Sequence, residues 1–414
     1  MAVMYRAFVF RAVLTKTSGR SFSRPLSTKM KFPDLKSTCN KTVKTALCLT
    51  GVVGAFYYGK TKWTGDVSKM MKSLFILSTA AKPCDDAKSR KSMGDKIKPP
   101  APCGNKKKEE CADNQPNITS PLKLYSLFLW ITLEPTADPC AVVSAAVRID
   151  EAITAAQDPC GTSEEILAGV GFGPNLLAQS LGPPCKNFCY RQRKGRNGEL
   201  PVTDGDIFVH AKCDNLGQLF DFCKHYMHCF PEDSILEFED IYGFDYKNGR
   251  DISGFMDNMT NRCKPEGLKE VAVECQTGGS YALTQKWVHD FCVVDNDPQV
   301  LEQYIGREML SGKELENKAI TSHVARMIGS TDKDATPQHE IVRQSQSYGS
   351  FSEKAGMFFL AFAADPCAFE FMLDRMVGAG CDGEHDDVMK MSRNVKGNYW
   401  YFPGLKELET LRQR

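Results

Sequence analysis

Two stretches of this chain are written to one plan. "IFVHAKCDNLGQLFDFCKHY" (207–226) and "FFLAFAADPCAFEFMLDRMV" (358–377) each pass from an apolar strand, through a short polar break, into an amphipathic helix. The surrounding sequence keeps the same grammar. Strand patterns occur at 123–133, 206–215 and 235–244, then at 278–290 and 356–365; helical spacing occurs at 141–156 and 216–230, then at 297–310 and 367–378. Strands and helices interspersed in two halves of about 130 residues predict a duplicated α+β unit. An antiparallel sheet with helices on one face, as in the ferredoxin-like motif, suits that order. We therefore expect two ferredoxin-like domains, residues 121–265 and 266–414.

The residues before 121 follow other rules. Residues 1–33 carry seven basic side chains (Arg6, Arg11, Lys16, Arg20, Arg24, Lys29 and Lys31), no acid, and abundant Ser and Thr. That composition predicts a mitochondrial transit peptide rather than a folded element. "TALCLTGVVGAFYY" (45–58) is apolar between lysines. It is shorter than the roughly 20 residues a span needs, but the flanking lysines and aromatic residues extend it to 41–64 as an inner-membrane helix. The alternative for this stretch is a buried or interfacial helix. Residues 83–120, charged and nearly free of large apolar side chains, read as a disordered linker. The "NIT" sequon at 117–119 has no meaning in a mitochondrial protein.

With a net charge of +1, nothing in the global electrostatics favours nucleic acid. Seventeen cysteines are numerous, but the count is odd and several sit in apolar runs, as reduced thiols do. Three "DPC" triplets (138–140, 158–160 and 365–367) resemble starts of helices. Of the seven histidines, His225 and His228 lie three apart on a helix without an obvious third metal ligand, and His210 and His289 fall on strands as structural residues. His323, in "NKAITSHVARMI", stands beside an apolar helical face and is a candidate axial ligand. No P-loop, GxGxxG, GxSxG or HExxH is present to anchor a nucleotide or zinc reading.

"NGRDISGFMDNMTN" (248–261) sets Asp251 and Asp257 around Gly254, Phe255 and Met256. Asn, Gly and Asp are turn residues, and a surface turn is the bland reading. Carboxylates beside bulky apolar side chains raise a sharper one, because burial of an unpaired charge is costly.

The stretch resembles the GxxDG motif of DyP-type haem peroxidases. Further pieces resemble that family in the same order: "GFGPNLL" (171–177), "GGSYALTQKWVHD" (278–290), "IGREML" (305–310), "TSHVARM" (321–327), "EIVRQSQSYG" (340–349) and "YWYFPGL" (399–405). Together they cover residues 121–410 and are most similar to the bacterial cytoplasmic branch. The resemblance implies one haem b with one iron, ligated by His323. It implies Asp257 and Arg343 as catalytic residues on the opposite face, with Gly254, Asn258, Asn261, Arg307 and Ser345 around the cofactor. An acid behind the proximal imidazole is also implied; Asp386 fits best, with Asp382 and Asp387 competing. Hydrogen peroxide and a small organic electron donor would be the partners, with a homo-oligomer or an inner-membrane complex left open. Two departures bear on turnover: the second glycine of the motif is Asn258, and the usual later proline is Arg262. An inactive accessory subunit and a haem-storage or haem-delivery protein are therefore the competing readings.

Overall fold

The computed structural model describes residues 111–413 apart from 183–185 and 334. The segments expected to be a transit peptide (1–33) and a membrane helix (41–64), with most of the expected linker, lie outside the described residues. Among those described, no helix is long and apolar enough to cross a membrane.

Eleven strands are described: β1 (Tyr125–Leu133), β2 (Leu167–Phe172), β3 (Arg193–Gly195), β4 (Gly198–Leu200), β5 (Ile207–Cys213), β6 (Ile235–Phe244), β7 (Ser280–His289), β8 (Val342–Arg343), β9 (Gln346–Gly349), β10 (Ala355–Ala363) and β11 (Ser392–Phe402). The first half pairs in the order β2-β5-β1-β6 and the second in the order β11-β7-β10-β9, all antiparallel. Both are the same permutation of four strands, the ferredoxin-like one. The halves do not hold separate sheets, however. Pairing of β2 with β11 and of β6 with β9 joins them, and β7 with β10 closes the ring.

Period-2 alternation supplies two cores from the same strands. Phe128 and Trp130 of β1 and Phe208 of β5 meet Phe358 and Trp400 inside the ring, with the Phe128 and Phe358 rings stacked at 4.3 Å. Leu127, Leu129 and Val209 point the other way, into a core shared with the helices. The helix Leu216–Met227 starts at Asn215, whose side chain caps Gln218 N–H at 3.2 Å. Its counterpart Cys367–Val377 ends at Gly378 in the left-handed conformation.

Three expectations need correction. The helix read over 141–156 is two, Pro139–Ala146 and Ile149–Ala155, interrupted at Val147 and Arg148. Of the three DPC triplets, the one at 158–160 makes only a turn. The linker ends earlier than 120: Gln115, Asn117 and Ile118 are at most 1% exposed. Gln115 bonds the backbone of Val170 and Pro403, and a disulfide joins Cys111 to Cys275. One cysteine pair is thus oxidised, while ten other described cysteines are free.

Candidate active site

Two adjoining cavities, each of about 180 Å3, are lined by the motif loop at the end of the first half and by residues of the second. Asp257, His323 and Arg343 line both, although 66 and 20 residues of sequence separate neighbours in that set. The remaining wall is mainly apolar, built from side chains such as Leu283, Trp287, Phe359 and Met372.

His323 is the first residue of the short helix His323–Ile328, which Ser322 caps. Its Nδ1 lies 2.8 Å from Asp386 Oδ2, and Asp386 is fully buried. The histidine's other ring nitrogen is left for the cavity. The competing acids are engaged elsewhere: Asp382 forms a two-pronged pair with buried Arg326, and Asp387 accepts a bond from Thr321 Oγ1. Arg326 holds the Asp382 carboxyl well below the usual carboxylate range.

Asp257 is half-buried and lines both cavities. Burial pushes its carboxyl up to about 6; the Asn258 N–H, at 2.7 Å from Oδ1, opposes this, the Asp251 charge adds to it, and Arg343 and His323 pull downwards. Arg343 is itself drawn down by burial, against the pull of Asp257. Its backbone is clamped by Asn261, which donates to the Arg343 carbonyl at 2.7 Å and accepts its N–H at 2.8 Å. Its guanidinium donates to Thr260 Oγ1.

The motif turn explains its own composition. Gly254 has φ +97°, closes on the Asp251 carbonyl at 2.8 Å, and faces neither cavity directly. Asn258, in place of the second glycine, has φ +56°, in the left-handed region that Asn tolerates better than most residues. Its amide donates to the Ser345 carbonyl at 3.2 Å, while its Oδ1 is buried without a partner. Arg307 lines the second cavity and donates to Gly312 O. Ser345 stands apart: its hydroxyl accepts from Leu360 N–H inside the sheet and lines neither cavity.

One pair escaped the sequence reading. Asp251 is 5% exposed and accepts bonds from His289 Nε2 at 2.8 Å, from Ser253 and from Ser347 Oγ at 3.2 Å. Burial opposes the charged form, yet His289 and Ser253 hold this carboxyl down at about 2. His289 therefore does more than fill a strand position: with Asp251 it forms a polar block in the cavity wall. Alternation along β7 could have shown which way His289 points, but not that Asp251 meets it. The two remaining helix histidines, His225 and His228, line neither cavity.

The Dyp-type peroxidase C-terminal family matches residues 248–407, which contain both faces of the cavity. A dye-decolorizing peroxidase of Mycobacterium tuberculosis is 27% identical over 302 residues, 70% of this chain and 89% of the relative. A dye-decolorizing protein from V. cholerae superposes with TM-score 0.63 at 25% identity, covering 72% of this chain and 99% of that one. A DypB variant of Rhodococcus jostii RHA1, solved in complex with haem, gives TM-score 0.63 at 25% identity over 70% of this chain and 97% of its own. Fold, cavity and likeness define an oxidoreductase. Over residues 248–407 the chain carries the C-terminal region of Dyp-type peroxidases, and its curated relatives are dye-decolorizing peroxidases.

Proposed function

We propose that the chain binds one haem b through His323 and reduces hydrogen peroxide at the expense of small organic electron donors. The observation that supports this reading is that the Asp386-held imidazole lines the same mainly apolar cavity as Asp257 and Arg343. The residues suit the group: the walls are apolar and the imidazole has one nitrogen held and one to give. When bound there, haem supplies the redox chemistry. Asp386 increases the basicity of the imidazole by accepting its Nδ1 proton in a hydrogen bond. Asp257, as carboxylate, takes a proton from one peroxide oxygen and returns it to the other. Arg343, which stays charged in proteins, favours the ionised form of Asp257 and stabilises negative charge developing on oxygen. Asn261 fixes where Arg343 starts, and Arg307 places a second cation in the lining of the second cavity.

The buried, unpartnered Asn258 Oδ1 favours a second reading, in which the cavity is partly closed and turnover is weak, as in an accessory subunit. Stopped-flow mixing with one equivalent of peroxide separates them. The peroxidase reading predicts that Asp257→Asn slows the reaction about 10²–10⁴-fold, while Asn258→Gly changes it only modestly. A native protein inert to peroxide, awakened by Asn258→Gly, would support the second reading.

We also propose delivery to the mitochondrion by residues 1–33 and anchoring in the inner membrane by 41–64; their composition supports this. Full-length protein released by alkaline carbonate would refute the anchor.

A further inference from the structure

The β3–β4 hairpin belongs to the first half of the chain but reaches the acid behind His323. Asn197 lies in its two-residue tip, and its Nδ2 donates to the backbone carbonyl of Asp386 at 3.1 Å. It is the side-chain donor to that oxygen, which also opens the 3-10 turn Asp387–Lys390. Three further bonds fix Asp386: its N–H donates to Met376 O at 3.0 Å, Oδ1 accepts Val388 N–H at 2.9 Å, and Oδ2 meets His323. Those three partners all belong to the second half of the chain.

The ordinary explanation of Asn in a hairpin tip is a left-handed backbone. It does not apply, because the described non-glycine residues with positive φ are Asp233, Lys247, Asn248 and Asn258. The hairpin is also seated closely. A Cβ at Gly195 would lie 2.5 Å from the Val377 carbonyl oxygen, and one at Gly198 would lie 3.0 Å from Met389 Cε. At its base, buried Arg193 pairs with Glu370 and Asp374 of the helix Cys367–Val377. A rigid arm therefore carries one amide to one carbonyl.

We propose that Asn197 is a positioning residue for the reaction: it holds Asp386 in line with His323 Nδ1, so that the first half of the molecule tunes the proximal ligand. This rests on the haem reading given above. Without the amide, the buried carbonyl loses its side-chain donor and the Asp386 main chain relaxes. The carboxylate then draws less on the Nδ1 proton, and the imidazole becomes a weaker ligand.

The test uses the full-length, haem-loaded protein in its ferrous form, with the iron–histidine stretching band and the reduction potential as readouts. Asp386→Asn sets the scale: it should lower the band and raise the potential, with a loss of about 10–100-fold in activity or haem affinity. Asn197→Ala should move both readouts the same way by less. Asn197→Asp, which faces the carbonyl with oxygen, should move them at least as far as Asn197→Ala. Asn197→Gln should restore part of the shift, and Arg196→Ala should leave both readouts unchanged. Amide hydrogen exchange of residues 386–388 in haem-free protein gives a second measure, and it should quicken in Asn197→Ala. An unshifted band together with unchanged exchange in Asn197→Ala overturns the inference while leaving the haem reading intact. If Asp386→Asn also leaves the band where it was, the proximal assignment and this inference fall together.

Discussion

Asp257 and Asp251 are six residues apart, both sit in the cavity wall, and they are driven in opposite directions. Asp257, with its carboxyl near 6, is mostly protonated in mild acid and available as a base above that point. The rate of reaction with peroxide should therefore rise through a limb centred near pH 6, and that limb should vanish in Asp257→Asn. A rate that is flat from pH 5 to 8 in the native protein would remove Asp257 from the proton-transfer role. The same shift has a stability cost with a definite sign. The raised value means that folded protein holds this proton more tightly than the unfolded chain. Its contribution is greatest below the ordinary value near 3.8 and is lost as pH climbs through 6. Asp251 behaves oppositely. Its lowered value stabilises the fold above about 3.8, and the contribution drains away as pH falls through 2. Acid titration should show Asp251→Asn less stable than native protein at neutral pH, with the gap narrowing towards pH 2; a gap independent of pH would mean that packing, not charge, is what the substitution removes. At this scale the sequence revealed much through ordered motifs. His323, Asp257, Arg343 and Asp386 were named from them and line or back one cavity. Ser345 and the Asp251–His289 pair show the limit: a motif gives spacing along the chain, whereas facing depends on strand register and on what crosses from other strands.

Elements were legible where their burial is apolar and obscure where it is polar. β1, β5, β6, β7, β10 and the helices after β5 and β10 announce themselves by periodicity, because their anchors are Leu, Val, Phe and Met. The segment 111–120 did not. It is held by Gln115, Asn117 and a disulfide, so its composition imitates a linker while its side chains are interior. Gly169 shows how closely it sits, since a Cβ there would lie 2.0 Å from Asn117 Oδ1. Asn117, fully buried, is shut away from modifying enzymes in the folded protein whichever compartment it occupies. The disulfide closes a span of 164 residues. Disulfides typically contribute about 2–4 kcal/mol. Cys111→Ser or Cys275→Ser should thus lower the midpoint of denaturant unfolding, and a reducing agent should lower native protein to the same value without affecting either variant. Equal midpoints for native protein in oxidising and reducing buffer would show that the bond does not form in solution.

On the scale of the whole molecule, duplication was readable and closure was not. Two repeats of strand, break and helix predicted two ferredoxin-like units, and each half does follow that strand order. Nothing in one strand's sequence says which distant edge it will meet, so the β2–β11 and β6–β9 pairings that fuse the halves into a ring are properties of the folded chain alone. With the halves joined, a hairpin of the first touches the acid behind a histidine of the second. The proposed chemistry depends first on ligation of haem iron by the second ring nitrogen of His323. The absorption spectrum of the purified protein reconstituted with one equivalent of haem, recorded beside His323→Ala and His225→Ala, tests it most directly. A Soret band of histidine-ligated haem is expected in the native protein and in His225→Ala, and its loss in His323→Ala. A native band surviving in His323→Ala, or no band in native protein under any loading, would contradict it.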